Sequence, residues 1–236
     1  MKKFNINDIK KYYDESDEIW PESDVWYAKT NKIIKKFLTK TNWSSDSYVL
    51  NAGSGGNNYD LPYNFHHVDI SDNRMKNIVN FTKANIENLP FANCSFDHCI
   101  CVGSVLNYCD ALAALSELSR IIKYDGELIL EFENSWSYRY KNTPNFGIAA
   151  GVTAVHFRGS EHIQWIYSGN YITSICSELG LKIIQKKCFH IISSLSLKIS
   201  NNENKSSKYI FLDNLASRIP FIARHGNNII LRLKKV

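Results

Sequence analysis

The sequence predicts an α/β fold, a parallel sheet with helices on both faces, from three observations. A short apolar run, Tyr48-Val49-Leu50, passes at once into the glycine-rich turn Asn51-Ala52-Gly53-Ser54-Gly55-Gly56, as a buried strand does at the start of a nucleotide-binding unit. A second short strand, Phe65-His66-His67-Val68, ends on Asp69, sixteen residues beyond Gly53, where a carboxylate can accept both hydroxyls of a ribose. Beyond that point strand and helix periodicities alternate. The glycines matter because backbone must approach a ligand closely and adopt dihedrals that a Cβ forbids.

Length and composition narrow the possibilities. At 236 residues and 44% hydrophobic, the chain suits one globular domain with room for a small cap. The six cysteines, Cys94, Cys99, Cys101, Cys109, Cys176 and Cys188, show neither paired Cys-x-x-Cys spacing nor a secreted framework, so they read as reduced thiols and imply no metal site. The N-terminus lacks an apolar leader, and no window offers about 18 uninterrupted apolar residues. A soluble, cytoplasmic protein is expected. A net charge of +5 without a basic stripe and interleaved aromatics gives no reason to expect a nucleic-acid partner.

The elements follow in order. Residues 6–40 read as two helices, the first with Ile9, Tyr12 and Tyr13, the second with Val25, Trp26, Ile33, Ile34, Phe37 and Leu38, separated by an acidic loop, Asp14 to Glu18. The aromatics Trp20, Trp26 and Tyr27 either pack these helices on the sheet or belong to a lid over its carboxyl edge. A helix is expected from about Met75 to Phe81 and a short strand end at Ala84-Asn85-Ile86. Cys99 to Leu106 is apolar enough for a central parallel strand. Asp110 is a good N-cap for a helix from Ala111 to Lys123, Tyr124-Asp125-Gly126 turns the chain, and Glu127 to Phe132 is the next strand. Residues 134–163 look irregular, rich in aromatics and small residues, and a loop of that length is usually functional. A helix from Gly169 to Leu179, a strand from Leu181, a polar link over Asn201 to Ser207, an amphipathic stretch from Phe211 to Ala223 and a strand from Asn228 to Leu233 complete the chain.

Four blocks in sequence resemble the class I S-adenosylmethionine-dependent methyltransferases, within their small-molecule branch related to the quinone-biosynthesis C-methyltransferases. They are Val49 to Gly56, Val68-Asp69-Ile70-Ser71, Asn85 to Phe91 with Ser95-Phe96-Asp97, and Glu117 to Gly126. The Leu89-Pro90-Phe91 and Ser95-Phe96-Asp97 pair is the most specific of these. The resemblance covers residues 45 to 135, with the closing strand extending it. It implies a Rossmann-like three-layer sandwich, a mostly parallel seven-stranded sheet with the last strand antiparallel, divided as a helical lid over residues 1–44 and a methyltransferase domain over 45–236, with a substrate segment at about 134–168.

The resemblance also implies residue roles for S-adenosyl-L-methionine. Gly53, Ser54 and Gly55 would approach its methionine part, Asp69 its ribose, Ile70 the adenine face, and Asn85 with Ile86 the adenine edge. Gly103 and Ser104 would lie beneath the sulfonium, with Tyr13 and Trp20 as lid contacts. Asn51 stands where the family usually places an acid near the methionine moiety, which removes a charge there. Asn85 replaces an acid with an amide oxygen that can still accept from an adenine amino group.

Methyl transfer from a sulfonium needs aligned reactants in a dry pocket, and a hydroxyl acceptor gains from a base. His162 is the first candidate, Glu133 the second and His156 the third. Aromatics around the pocket suit a sugar or planar ring, so O-methylation of a sugar, glycan or secondary metabolite is expected. The Phe211 to Ile222 stripe, flanked by Lys208, Arg218 and Arg224, fits packing on the sheet, or weak contact with a membrane surface. Three other readings compete. A dinucleotide-dependent oxidoreductase lacks its third glycine, since Asn58 stands there. A nucleic-acid methyltransferase lacks its motif, since Asn107-Tyr108-Cys109 occupies that place. A non-catalytic binding module is the third. Oligomeric state is not legible.

Overall fold

The apolar run leading into the glycine turn forms strand β1 (Tyr48–Ala52), which pairs in parallel with β2 (Asn64–Asp69) on one side and β4 (Phe96–Cys101) on the other. The computed structural model describes residues 6–15, 24–157 and 160–236. Four further strands, β3 (Phe81–Lys83), β5 (Ile122–Glu133), β8 (Leu181–Phe189) and β9 (Asn228–Lys235), complete a seven-stranded sheet in the order β3-β2-β1-β4-β5-β9-β8. Only β9 runs against its neighbours, antiparallel to both β5 and β8, as expected for the last strand. From β1 the chain steps outward one way to β2 and β3, then the other way to β4 and β5. That reversal leaves a crevice at the carboxyl edge between β1 and β4.

Alternation along the strands builds two cores. Leu50, Cys99, Leu128, Leu130 and Leu231 face helices α3 (Ala111–Ile121) and α4 (Gly169–Glu178), which supply Leu115, Leu118 and Ile172. Val49, Ile100, Ile129 and Ile230 face the other way, onto Ile34, Phe37 and Leu38 of α2 (Val25–Leu38). Each such fully buried side chain contributes about 1.5–3 kcal/mol. The helices start where side chains satisfy orphan N–H groups: Asp24 Oδ1 accepts from Trp26 and Tyr27, and Asp110 Oδ1 from Ala113. Helix α1 (Ile6–Glu15) differs from α2, for it buries only Ile9 fully and lies over the carboxyl edge.

Several local expectations are corrected. No helix forms from Met75 to Phe81. A single 3₁₀ turn, Asn73–Met75, precedes β3, because the stretch between them has no apolar face and leaves Val79 96% exposed. The strand expected at 84–86 lies just before it, at β3. No turn separates α3 from β5. The strand begins at Ile122 and carries an irregular register against β4, with Asp125 at φ +63°. Gly126 is required there by close approach, since a Cβ would stand 2.3 Å from the Asp97 carbonyl oxygen.

The segment read as irregular contains a hairpin, β6 (Ala150–Phe157) with β7 (Ser160–Tyr167), paired outside the main sheet. Its alternation was masked by aromatic and polar residues on both faces. The polar link at 201–207 is helical, α6 (Glu203–Ser207), with Ser206 and Ser207 buried. The amphipathic stretch forms α7 (Ile210–Ala216) and α8 (Pro220–Ala223), and its large apolar side chains Phe211, Leu215 and Phe221 are exposed rather than packed on the sheet. The cysteines are free, and burial pushes the Cys101 thiol up to about 12. No helix among the described residues is long and apolar enough to cross a membrane.

The C-terminal helices are tied to α2 through one polar cluster. His190 stacks on Trp26 at 4.1 Å between centroids and meets the Thr30 hydroxyl at 2.7 Å. Burial pushes His190 down to about 3, so it is neutral. Beside it Asp213 of α7 accepts from Ile192 N at 2.7 Å, Ser193 N at 3.2 Å and Ser193 Oγ at 2.7 Å, capping α5 (Ile192–Ser200). Replacing Asp213 with Ala leaves these buried donors without their acceptor. The expected loss is about 1–3 kcal/mol of unfolding free energy, read from urea denaturation; an unchanged midpoint would refute the role.

Candidate active site

Where β1 ends, Gly53 turns the chain at φ +67° and Gly55 at φ +52°. A Cβ on Gly53 would stand 2.3 Å from Cγ1 of Val105, so no side chain fits between this turn and the one after β4. Asp69, at the end of β2, holds the turn from across the crevice: Oδ2 accepts from Gly55 N at 2.8 Å and Oδ1 from Ser71 N at 2.9 Å. Burial raises the Asp69 carboxyl, and the two N–H groups oppose that shift.

The turn after β4 is held in the same manner. Gly103 and Ser104 both have positive φ, +87° and +59°, and their N–H groups converge on Glu131 Oε2 at 2.9 and 2.7 Å. Asn228 Nδ2 donates to Glu131 Oε1 at 2.6 Å. Glu131 is fully buried, and burial pushes its carboxyl up to about 7.

Two cavities open side by side over these turns, of about 740 and 870 Å³ including their mouths. The first is lined by Gly53, Ser54, Gly55, Asp69, Ile70, Asn85, Ile86 and Gly103, all named from the sequence, with Ile6, Ile9 and Tyr13 of α1 above them. Asn85 Oδ1 accepts from Glu87 N at 3.0 Å, which fixes the amide at the cavity wall. Asn51 is not part of this lining. Its Nδ2 turns away to the Asn57 carbonyl at 2.7 Å, bracing the glycine loop from behind.

Helix α1 is fastened over the first cavity by Asp14, which accepts from the Ser71 hydroxyl at 2.5 Å, and by Arg74, whose Nε donates to the Tyr13 carbonyl at 3.0 Å. Ser71 thus bonds Asp69 through its N–H and the helix through its hydroxyl. Trp20 lies outside the described residues, as does the side chain of His156.

The second cavity contains Ser104, Glu133 and His162 from the expected set, with Tyr27, Glu131, Arg139, Gln164 and Glu203. Tyr13, Gly103 and Tyr108 line both cavities. Tyr108 Oη and His162 Nε2 are 2.8 Å apart, and His162 is 9% exposed. Tyr13 packs edge-on against Tyr108 at 5.8 Å; burial pushes its phenol up to about 12 and the Tyr108 phenol well up. Glu133 Oε2 accepts from Tyr140 Oη at 3.2 Å and Gln164 Nε2 at 2.9 Å. Among the described residues no group of three or more His, Cys, Asp or Glu could hold a metal ion.

Sequence reasoning missed Tyr108, Arg139, Gln164 and Glu203. Tyr108 carried a readable signal, since it follows Gly103-Ser104 by one turn. Arg139 comes from the 3₁₀ turn Tyr138–Tyr140, Gln164 from the hairpin and Glu203 from α6, none of which periodicity revealed.

Residues 50–130 match the family model described as a methyltransferase domain. An uncharacterized protein of Methanocaldococcus jannaschii is 26% identical, with 93% of this chain and 92% of that protein covered. A protein of Encephalitozoon cuniculi that bears a provisional methyltransferase name is 22% identical over 75% of this chain and 88% of its own length. Among solved structures, geranyl diphosphate C-methyltransferase from Streptomyces coelicolor, in complex with Mg²⁺, geranyl diphosphate and S-adenosyl-L-homocysteine, superposes with a TM-score of 0.62 at 14% identity, over 98% of this chain and 97% of that one. Residues 50–130 thus carry the likeness to a methyltransferase domain, and the switch-point crevice with the seven-stranded sheet and its reversed β9 gives the chain the fold of that structure.

Proposed function

We propose that the first cavity holds S-adenosylmethionine and that the second admits a small polar acceptor whose nucleophile meets the methyl group between Gly103, Tyr13 and Tyr108. The observation that carries this reading is that these three residues line both cavities. The residues present suit the cofactor. The positive-φ turn at Gly53 leaves room only for backbone, Asp69 keeps lone pairs on both oxygens for a ribose diol, and Ile70 and Ile86 offer apolar faces to a planar base. The bound cofactor supplies an electrophilic methyl group on a sulfonium.

The chain's own residues position and deprotonate. Helix α1 excludes water from the first cavity. The Gly103-Ser104 turn, fixed on Glu131, sets the boundary between the two ligands, so alignment comes from backbone rather than from a mobile side chain. Tyr108 stands at that boundary, hydrogen bonded to His162, and the pair receives the proton of a hydroxyl or amine acceptor. Glu133, named from the sequence as the second candidate base, is held on one oxygen by Tyr140 and Gln164 and serves better to bind the acceptor than to accept its proton.

The second cavity is lined by carboxylates, amides, a guanidinium and phenols. This supports a polar acceptor, whether the sugar expected from the sequence or a small charged molecule, over an apolar chain like the geranyl group bound by the Streptomyces enzyme. The exposed apolar edge of α7 and α8, rimmed by Lys208, Arg218 and Arg224, supports weak contact with an anionic membrane surface.

Three outcomes are expected. Calorimetry with S-adenosylhomocysteine gives one saturable site, and Asp69→Ala weakens it at least tenfold; undiminished affinity in a folded variant would remove Asp69 from the site. His162→Gln lowers the rate of methyl transfer from radiolabelled S-adenosylmethionine roughly 10²–10⁴-fold while leaving S-adenosylhomocysteine affinity unchanged, and an unaltered rate would exclude it as base. In co-sedimentation with phosphatidylserine vesicles, the pair Phe211→Asp and Phe221→Asp reduces the bound fraction to that seen with phosphatidylcholine; equal binding by wild type to both lipids argues against the contact.

A further inference from the structure

The charges of the second cavity are unevenly committed. Glu131 is engaged by Gly103 N, Ser104 N and Asn228 Nδ2. Glu203 lies beside Asp24; burial and that neighbouring acid raise its carboxyl, and the Arg139 guanidinium opposes the shift. Two groups remain. Glu133 takes both its hydrogen bonds on Oε2, leaving Oε1 with no partner among the described residues. The Arg139 guanidinium lines the same cavity, partly buried, and makes no ion pair within 4 Å among the described residues. Its Cζ lies over the Tyr140 ring, 6.0 Å from the centroid.

Tyr140 keeps these two opposite charges apart. Its ring lies beside Arg139 while its hydroxyl binds Glu133, so the guanidinium and the carboxylate share a cavity without closing on each other. A partly desolvated cation and anion that do not pair are costly, and each gains when a ligand brings the complementary charge. A guanidinium matches a carboxylate with two parallel N–H bonds. The free Glu133 oxygen matches an ammonium, and Tyr13, Tyr27 and Tyr108 add aromatic surface on which a cation is favoured. A dianionic phosphate ester gains less, because Glu133 and Glu203 face it from the same walls.

Resting on the reading of the second cavity as the acceptor site, we propose that the acceptor is a small zwitterion, an amino acid or amino-acid-like molecule, whose carboxylate is taken by Arg139 and whose ammonium is taken by Glu133. Tyr140 is then a specificity-determining spacer that sets the separation between the two charges. The assignment concerns binding and leaves the methylated atom to the acceptor's own chemistry.

The test is calorimetry on the full chain saturated with S-adenosylhomocysteine, titrated with each of the twenty standard amino acids and with the decarboxylated amine and N-acetyl derivative of each. At least one amino acid binds saturably, and its amine and its N-acetyl derivative each bind at least tenfold more weakly. In Arg139→Gln the amino acid and its amine bind alike, in Glu133→Gln the amino acid and its N-acetyl derivative bind alike, and Arg139→Lys keeps a reduced preference for the carboxylate. The absence of binding by every amino acid, or a carboxylate preference that survives Arg139→Gln, overturns the proposal. S-adenosylhomocysteine affinity, measured first on every protein, separates this failure from failure of the cofactor reading: retained affinity shows a folded first cavity and places the fault in the second alone.

Discussion

Backbone N–H groups that leave a parallel sheet at its carboxyl edge have no strand partner, and two carboxylates in this protein, one half-buried and one fully buried, satisfy them. Asp69 receives Gly55 N and Ser71 N, and Glu131 receives Gly103 N and Ser104 N. Each acid therefore fixes a turn with positive φ, and the two turns meet where Gly53 and Val105 touch. The crevice between them stays open because its rims are held from below, by charge-assisted bonds that are stronger than neutral ones. Loss of either acid would leave buried N–H groups without an acceptor and let the rims relax across the crevice.

The same logic explains the loop read as the most specific part of the resemblance. Leu89-Pro90-Phe91 is fastened to α3: Glu117 Oε2 accepts from Leu89 N at 2.7 Å, and Arg120 donates to the Leu89 carbonyl at 3.0 Å and the Phe91 carbonyl at 2.7 Å. Glu117 and Arg120 also pair with each other at 2.7 Å. This clamp touches no ligand. It sets the height of Asn85 and Ile86 at the cavity wall, because the loop hangs between β3 and α3 and would otherwise be free to shift.

What could be read from the sequence divides along the same line. β1, Asp69 and α3 were legible because each has a strong local cause, an apolar run, a glycine turn or a capped amphipathic helix, and the first cavity is lined largely from such parts; β4 was placed but displaced, since the strand read over Cys99 to Leu106 spans Phe96–Cys101 and the apolar run continues through the turn at Gly103 and Ser104. Asn51 shows the limit even there. Its position in the motif is plain, but its side chain bonds Asn57 rather than facing the cavity, and only three-dimensional contact reveals that. The segment 134–163 was misread because the hairpin of β6 and β7 lies outside the main sheet and buries polar side chains such as His162 and Gln164 beside apolar ones, so it carries no apolar period. Residues 201–207 were misread because Ser206 and Ser207 are buried by neighbouring helices despite a composition that reads as solvent-exposed.

The second cavity, which we propose as the acceptor site, resists sequence reading for a physical reason. Its groups come from α1, α2, the turn after β4, the end of β5, the 3₁₀ turn at Tyr138–Tyr140, β7, α6 and the start of β9, so no single stretch of sequence defines it. A ligand shared by many enzymes can be held by backbone on a common sheet edge, whereas an acceptor must be distinguished by charge and shape. Those features are added on elements outside the sheet, where a change of residue costs the fold little. Arg139, which makes no ion pair within 4 Å among the described residues, is such a group: it sits on a short turn and lines the second cavity, where on the proposed reading it serves a ligand rather than the fold.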